Sequence, residues 1–277
     1  MNKPRIVQIE LTSKCNANCI YCVRELINPI AKDMDWDLFV SIVNEVKQYA
    51  VEIHPQMWGE PLLYPRFIEA VEYIRKTIPL VKIVFYTNGV LLTEDIAQKL
   101  IECKVDEVNF SIDTTTPELY KQICKTDMFE TVKQNLAALK KMRKTMKSDL
   151  PKICVRGTKL PETKDKHTPI EFKAYWQKYC DKAVLEAELN IVGRKRQTPI
   201  ADTRLKDNCD QLEDTAIISA TGVMLMCCRD PTGLMPVGHV KDGILNVMNS
   251  EKYNLLHYEI LSKTNLPAMC KLCLKDV

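Results

Sequence analysis

Glycine is scarce in this chain, with eight in 277 residues against about 7% in an average protein. Few of them can be filler, so the position of each is informative. Long apolar runs are missing too. No stretch of about 18 apolar residues occurs, and the opening MNKPRIVQIELTSKC has no charged head followed by an apolar core. Neither a membrane span nor an export signal is therefore expected. Charge of one sign is not in excess: 39 basic against 36 acidic residues give +3, which makes no case for nucleic acid or an anionic membrane as partner. Internal repeats and low-complexity segments are also absent. The expectation is a cytoplasmic protein.

What is present is enough apolar material, 46%, to bury a full core in one domain plus a smaller appendage. Twelve cysteines would suit a disulfide scaffold in a short secreted chain. In a mid-sized chain without an export signal, metal ligation explains them better. β-rich runs at Ile6–Leu11, Val51–Met57, Val81–Tyr86, Glu107–Phe110, Ile153–Val155 and Val184–Ile191 alternate with helical periods. Those periods cover Trp36–Tyr49, Pro65–Thr77, Thr93–Cys103, Pro117–Met146 and Ile170–Tyr179. Such alternation predicts a parallel α/β sheet, open or closed into a barrel.

Gly59, Gly89, Gly157 and Gly193 each follow a predicted strand, where α/β folds build ligand sites and a backbone without Cβ can approach a ligand. Gly193 to Lys206 has no apolar period and reads as a linker. Beyond it, Ala216–Ser219 and Val223–Met226 flank a turn and predict a hairpin, followed by a helix near Ser250–Leu261.

Cys15, Cys19 and Cys22 form C-N-A-N-C-I-Y-C after the first strand. Three thiolates at this spacing can curl around one metal centre, and soft sulfur selects zinc or iron-sulfur chemistry. Structural zinc needs a fourth ligand, and this loop has no further Cys or His. On a four-iron cluster, three thiolates leave one iron open for a second molecule.

CxxxCxxC after the first strand of an α/β chain resembles the radical S-adenosylmethionine (SAM) superfamily. The resemblance implies a partial (β/α)6 TIM-like barrel over residues 1–195 and a [4Fe-4S] cluster whose open iron chelates SAM. It also implies reductive cleavage to a 5'-deoxyadenosyl radical that abstracts a substrate hydrogen, fed by a flavodoxin- or ferredoxin-type electron donor. Further motifs resemble the family's in order. Trp58-Gly59-Glu60-Pro61 is similar to its GGE-type motif, so that Gly59 and Glu60 would meet the methionine ammonium. Thr87-Asn88-Gly89 resembles its TNG motif, and Ser111-Ile112-Asp113 resembles the motif that faces the ribose and carboxylate. Tyr21 stands where an aromatic residue contacts adenine. After Tyr120 the family commonly has an arginine. Here the sequence is Lys121-Gln122-Ile123-Cys124-Lys125, with Lys121 or Lys125 as substitutes.

A second set follows the pattern C-x12-G-x4-C plus CxxC: Cys209, Cys227, Cys270 and Cys273, with Gly222 in the hairpin turn. Four thiolates suit zinc and iron-sulfur alike. The pattern resembles the twitch domain, a shortened relative of SPASM, over residues 196–277, which implies one auxiliary [4Fe-4S] cluster. Cys228 adjoins Cys227 and is the alternative ligand.

Cys103, Cys154 and Cys180 lie in apolar elements and read as core. The five basic residues between Lys140 and Lys147 read as a solvated helix end, and His239 as a turn residue. Arg194, Lys195 and Arg196 follow a strand end and either line a solvated linker or hold an anionic substrate.

The resemblance implies a small-molecule or peptide substrate. Its leading reading is dehydrogenation of a secondary alcohol of a sugar or aminocyclitol, with Arg194 or Arg156 assisting proton loss. The alternatives are peptide or protein side-chain modification and redox-neutral epimerisation, in which Cys124 or Cys228 would return a hydrogen atom.

Overall fold

The computed structural model describes residues 3–22, 32–160, 168–187, 209, 212, 214–230 and 233–271. Among them the chain runs β1 (Ile6–Ile9), α1 (Trp36–Val46), β2 (Glu52–His54), α2 (Phe67–Thr77), β3 (Lys82–Thr87) and α3 (Glu94–Glu102). It continues through β4 (Glu107–Ser111), α4 (Pro117–Cys124), α5 (Phe129–Thr145), β5 (Lys152–Lys159), α6 (Pro169–Trp176) and β6 (Lys182–Ala187). The C-terminal part adds β7 (Thr215–Ile218), β8 (Val223–Leu225), β9 (Pro236–His239), α7 (Ile244–Met248), α8 (Glu251–Leu261) and α9 (Ala268–Lys271).

Two compact units interleave along the sequence: residues 14–21 with 60–188, and residues 1–13, 22–59 and 189–277. In the first unit β3, β4, β5 and β6 pair in parallel and in sequence order. Side chains alternate across this sheet. Phe110 lies on the helix side, since a Cβ at Gly89 would stand 2.7 Å from it and 3.2 Å from Val132 of α5. Asn109 and Ser111 therefore project from the other side. Buried Tyr120, Phe129, Phe172 and Trp176 form a run of edge-on and tilted aromatic contacts between α4, α5 and α6. The Trp176 Nε1–H donates to the Thr114 carbonyl at 3.1 Å.

In the second unit β1 pairs in parallel with β2 and with β7, and β7, β8 and β9 continue antiparallel. The hairpin around Gly222 thus extends the sheet that begins at β1. Its turn is held by the His239 ring, which contacts the Thr221 carbonyl at 3.0 Å and accepts from the Lys241 N–H. Helix α1 is capped by Asp35, whose side chain accepts from the Leu38 N–H at 3.0 Å, and buries Phe39, Ile42, Val43 and Val46.

Three sequence expectations need correction. The helical period over Pro117–Met146 is two helices, because Lys125 takes a left-handed conformation (φ 57°) that ends α4. Gly157 does not follow a strand but lies inside β5, where a Cβ would meet the Ile112 carbonyl oxygen at 2.6 Å. Strand β6 begins at Lys182 rather than Val184. The predicted linker Gly193–Lys206 lies outside the described residues.

Candidate active site

The cysteine loop is fastened by its own backbone. The Glu60 N–H donates to the Lys14 carbonyl at 2.8 Å, the Asn18 N–H to Cys124 at 3.2 Å and the Ile20 N–H to Ile123 at 2.9 Å. Helix α4 ends at Lys125, so its last carbonyls have no helical partners, and the loop's N–H groups meet two of them. Cys15, Cys19 and Cys22 are half-buried. The Cys19 thiol is in hydrogen-bond contact with Cys124, and that contact, followed by burial, pushes its proton affinity well up.

Glu60 follows Gly59 at the end of the Trp58-Gly59 bend and is 3% exposed. Its carboxylate accepts from the Thr87 hydroxyl at 2.6 Å, the Asn88 N–H at 2.7 Å and the Leu62 N–H at 3.2 Å. All three donors are neutral. Burial outweighs them and raises the carboxyl to about 7. A buried carboxylate braced only by neutral donors is a seat for a cation. The Asn88 side chain donates to Asn16 of the cysteine loop at 2.7 Å, tying the third strand end to that loop. The Thr87 hydroxyl also accepts from the Gly89 N–H at 3.0 Å.

Asp113, 3% exposed, accepts from the Tyr21 hydroxyl and from the Thr158 N–H, both at 2.6 Å. Burial, then Asp113, push the Tyr21 phenol up, so it stays a donor. Ser111 ends β4 opposite Arg156. Lys121 pairs at the surface with Asp127 at 2.8 Å.

Arg156 does not stand alone. Its guanidinium donates to Asn109 at 2.6 Å, pairs with Glu186 at 3.0 Å and Glu107 at 3.7 Å, and lies 6.0 Å from the Tyr86 ring centre. Burial pulls its proton affinity down, but Tyr86, Glu186 and Glu107 outweigh that and raise it. Arg194 and Cys273 lie outside the described residues.

In the C-terminal set, Cys209, Cys227, Cys228 and Cys270 are half-buried. The Cys227 sulfur accepts from the Arg229 N–H at 3.3 Å. The Cys227 thiol also donates to Cys228, which draws the Cys228 thiol down. Asp230, fully buried, braces the following turn by accepting from the Leu234 and Met235 N–H groups.

Among the described residues no three His, Cys, Asp or Glu side chains converge on a single ion. Ligands around a four-iron cube stand wider apart than those around one ion, and the soft donor set with a neighbouring cation seat at Glu60 fits a cluster that carries SAM. The radical SAM superfamily pattern matches residues 9–165, more than half of the chain. The chain belongs to the radical SAM superfamily.

An iron-sulfur cluster-binding domain, SPASM, matches residues 209–274. Together these matches imply a [4Fe-4S] cluster and an auxiliary cluster in this radical SAM enzyme. A probable GTP 3',8-cyclase of Methanococcus maripaludis is 38% identical over 133 residues, 48% of this chain and 44% of that protein. The tungsten-containing aldehyde ferredoxin oxidoreductase cofactor-modifying protein of Pyrococcus furiosus is 34% identical over 111 residues, 39% of this chain and 31% of that protein. The chain thus spans less than half the length of these curated relatives. Among solved structures, BtrN in complex with AdoMet and 2-DOIA aligns at TM-score 0.62 and 18% identity, over 99% of this chain and 94% of that one. Native anSMEcpe with bound AdoMet aligns at TM-score 0.74 and 16% identity, over 98% and 91%. These likenesses establish the mixed α/β, partial-barrel fold of the family. Among the described residues no helix is long and apolar enough to cross a membrane.

Three bracing contacts around these motifs escape sequence reasoning. Thr87 was seen only as part of a motif, yet its hydroxyl grips Glu60. Thr158 contributes a backbone N–H to Asp113, which no side-chain pattern can reveal. Glu10, 4% exposed, accepts from the Trp58 N–H at 3.3 Å and the Ala220 N–H at 3.0 Å. A glutamate at the end of a strand beside a cysteine motif was the available signal.

Proposed function

We propose that this enzyme dehydrogenates a secondary alcohol carbon of a small polar substrate, a sugar or aminocyclitol, drawing electrons from a flavodoxin- or ferredoxin-type donor. The observation that carries the reading is the polar face of β4, β5 and β6. There Arg156 is neutralised by Glu186 and Glu107 and joined to Asn109. Two carboxylates to one guanidinium favour a hydroxyl- or amine-bearing ligand over a polyphosphate. Ser111 and Thr158 lie on the same side of the sheet, between that cluster and Asp113.

Cys15, Cys19 and Cys22 would hold the first cluster, Glu60 the SAM ammonium, Tyr21 and Asp113 the nucleoside end, and Cys209, Cys227, Cys270 and Cys273 the auxiliary cluster. Loaded with clusters and SAM, the site supplies one hydrogen-abstracting radical and an acceptor for one electron. A substrate carbon would give up a hydrogen atom to that radical, and its C=O would form on loss of one further electron and the hydroxyl proton. Arg156 keeps its own proton and orients Glu186, which takes up the substrate's.

The test is anaerobic turnover in heavy water with sugars, aminocyclitols, GTP and short peptides. The expected result is one 5'-deoxyadenosine per ketone, with no solvent deuterium in the product. Deuterium at an inverted carbon, or turnover with peptides alone, overturns the reading.

A further inference from the structure

We propose that Cys124, backed by Tyr120, is a positioning residue of the first cluster: its S–H donates a hydrogen bond to the Cys19 sulfur and eases reduction of that cluster. This rests on the assignment of Cys15, Cys19 and Cys22 as the cluster's ligands.

Cys124 occupies the last residue of α4 and is 5% exposed, and Tyr120, one turn earlier, is 1% exposed. The carbonyls of Ile123 and Cys124 receive the N–H groups of Ile20 and Asn18, the residues on either side of Cys19. The helix end therefore holds Cys19 from both flanks, and the two thiols meet. Behind them the Tyr120 hydroxyl is in hydrogen-bond contact with Cys124. The series runs hydroxyl, thiol, ligand sulfur.

An iron-bound cysteine sulfur has no proton and can only accept. Cys124 is then the donor of the pair, and Tyr120 the donor to Cys124, an order in which each bond strengthens the next. Reduction adds negative charge to the cluster and its sulfurs. A donor aimed at one sulfur stabilises the reduced form more than the oxidised form and raises the potential. A thiol spent on Cys19 is also not free to return a hydrogen atom to substrate.

The experiment is an EPR-monitored redox titration of the reconstituted full-length enzyme, with the first cluster identified by the change in its signal on adding SAM. Cys124→Ala should lower the reduced fraction at a fixed poise about tenfold, which is about 59 mV for one electron, with iron content unchanged. Tyr120→Phe should shift it in the same direction by less. Cys124→Ser, which keeps an O–H donor, should restore most of the wild-type potential. An unchanged potential in Cys124→Ala overturns the proposal. So does an equal shift in Cys124→Ala and Cys124→Ser, which would reveal a packing role, or loss of the SAM-responsive signal with its iron in both, which would make Cys124 a ligand. A SAM-responsive signal surviving Cys15→Ala/Cys19→Ala/Cys22→Ala would instead defeat the underlying ligand assignment.

Discussion

The two cysteine sets of this chain are built on different supports. The loop from Lys14 to Tyr21 is pinned by backbone bonds to the residue preceding α4's end, to Cys124 itself and to Glu60, and by the side-chain bond from Asn88 to Asn16. The partners belong to a unit with an eight-residue β5 and a seventeen-residue α5. The C-terminal set sits among a three-residue β8, a four-residue β9, a five-residue α7 and a four-residue α9. Short elements bury little surface each, so metal ligation carries more of their stability. The first set is held by bonds that need no cluster, and the expectation is that the second relies more on its cluster for order.

Stripping the iron tests this difference most severely. In iron-free protein, amides of 223–239 should lose about 100-fold in hydrogen-exchange protection relative to those of 82–159, roughly 2.7 kcal/mol at about 1.36 per tenfold. Equal losses in both regions would break the comparison. Iron analysis sharpens it: the loaded protein should bind about eight irons, and Cys227→Ala about four, if both centres are four-iron clusters.

Glu60 probes the first site through ligand affinity, with an effect of comparable size. Glu60→Gln removes the buried charge while keeping its shape, and SAM binding should weaken by about 2–5 kcal/mol with the iron retained. The wild type should also show a pH dependence that the variant lacks. Below about 7 Glu60 holds a proton that an incoming ammonium must expel, so SAM affinity rises about tenfold per pH unit from pH 6 and levels off above the carboxyl's value. The same shift predicts that SAM-free protein loses stability as pH climbs from the ordinary 4.5 to about 7, by up to about 1.4 kcal/mol per unit. Titration calorimetry across pH 6–8 measures the first, and chemical denaturation the second.

The smallest effect belongs to Asn88→Ala. It removes the 2.7 Å bond to Asn16 but leaves the backbone N–H that serves Glu60. SAM binding should weaken by about 1 kcal/mol, read by equilibrium binding at full iron occupancy. A loss as large as that of Glu60→Gln would mean that the loop depends on this one amide and is not independently pinned.

By itself the sequence determined the parallel α/β class, because alternating β-rich and 3.6-period runs admit few other folds, and it displayed the cysteine spacings and the order of motifs behind the strands. Such features are local, and local pattern survives in one dimension. It could not reveal that Lys125 ends a helix after Cys124, since left-handed lysines carry no compositional mark. It did not reveal that Gly157 lies within a strand, because its constraint is the Ile112 carbonyl just past the end of the neighbouring strand. Only the tertiary structure decided that Arg156 is tied to Glu186 and Glu107, that Thr87 braces Glu60 and that Cys124 rests on Cys19. Those pairings join residues distant in sequence, and burial of the groups they join is what gives each contact its chemical weight.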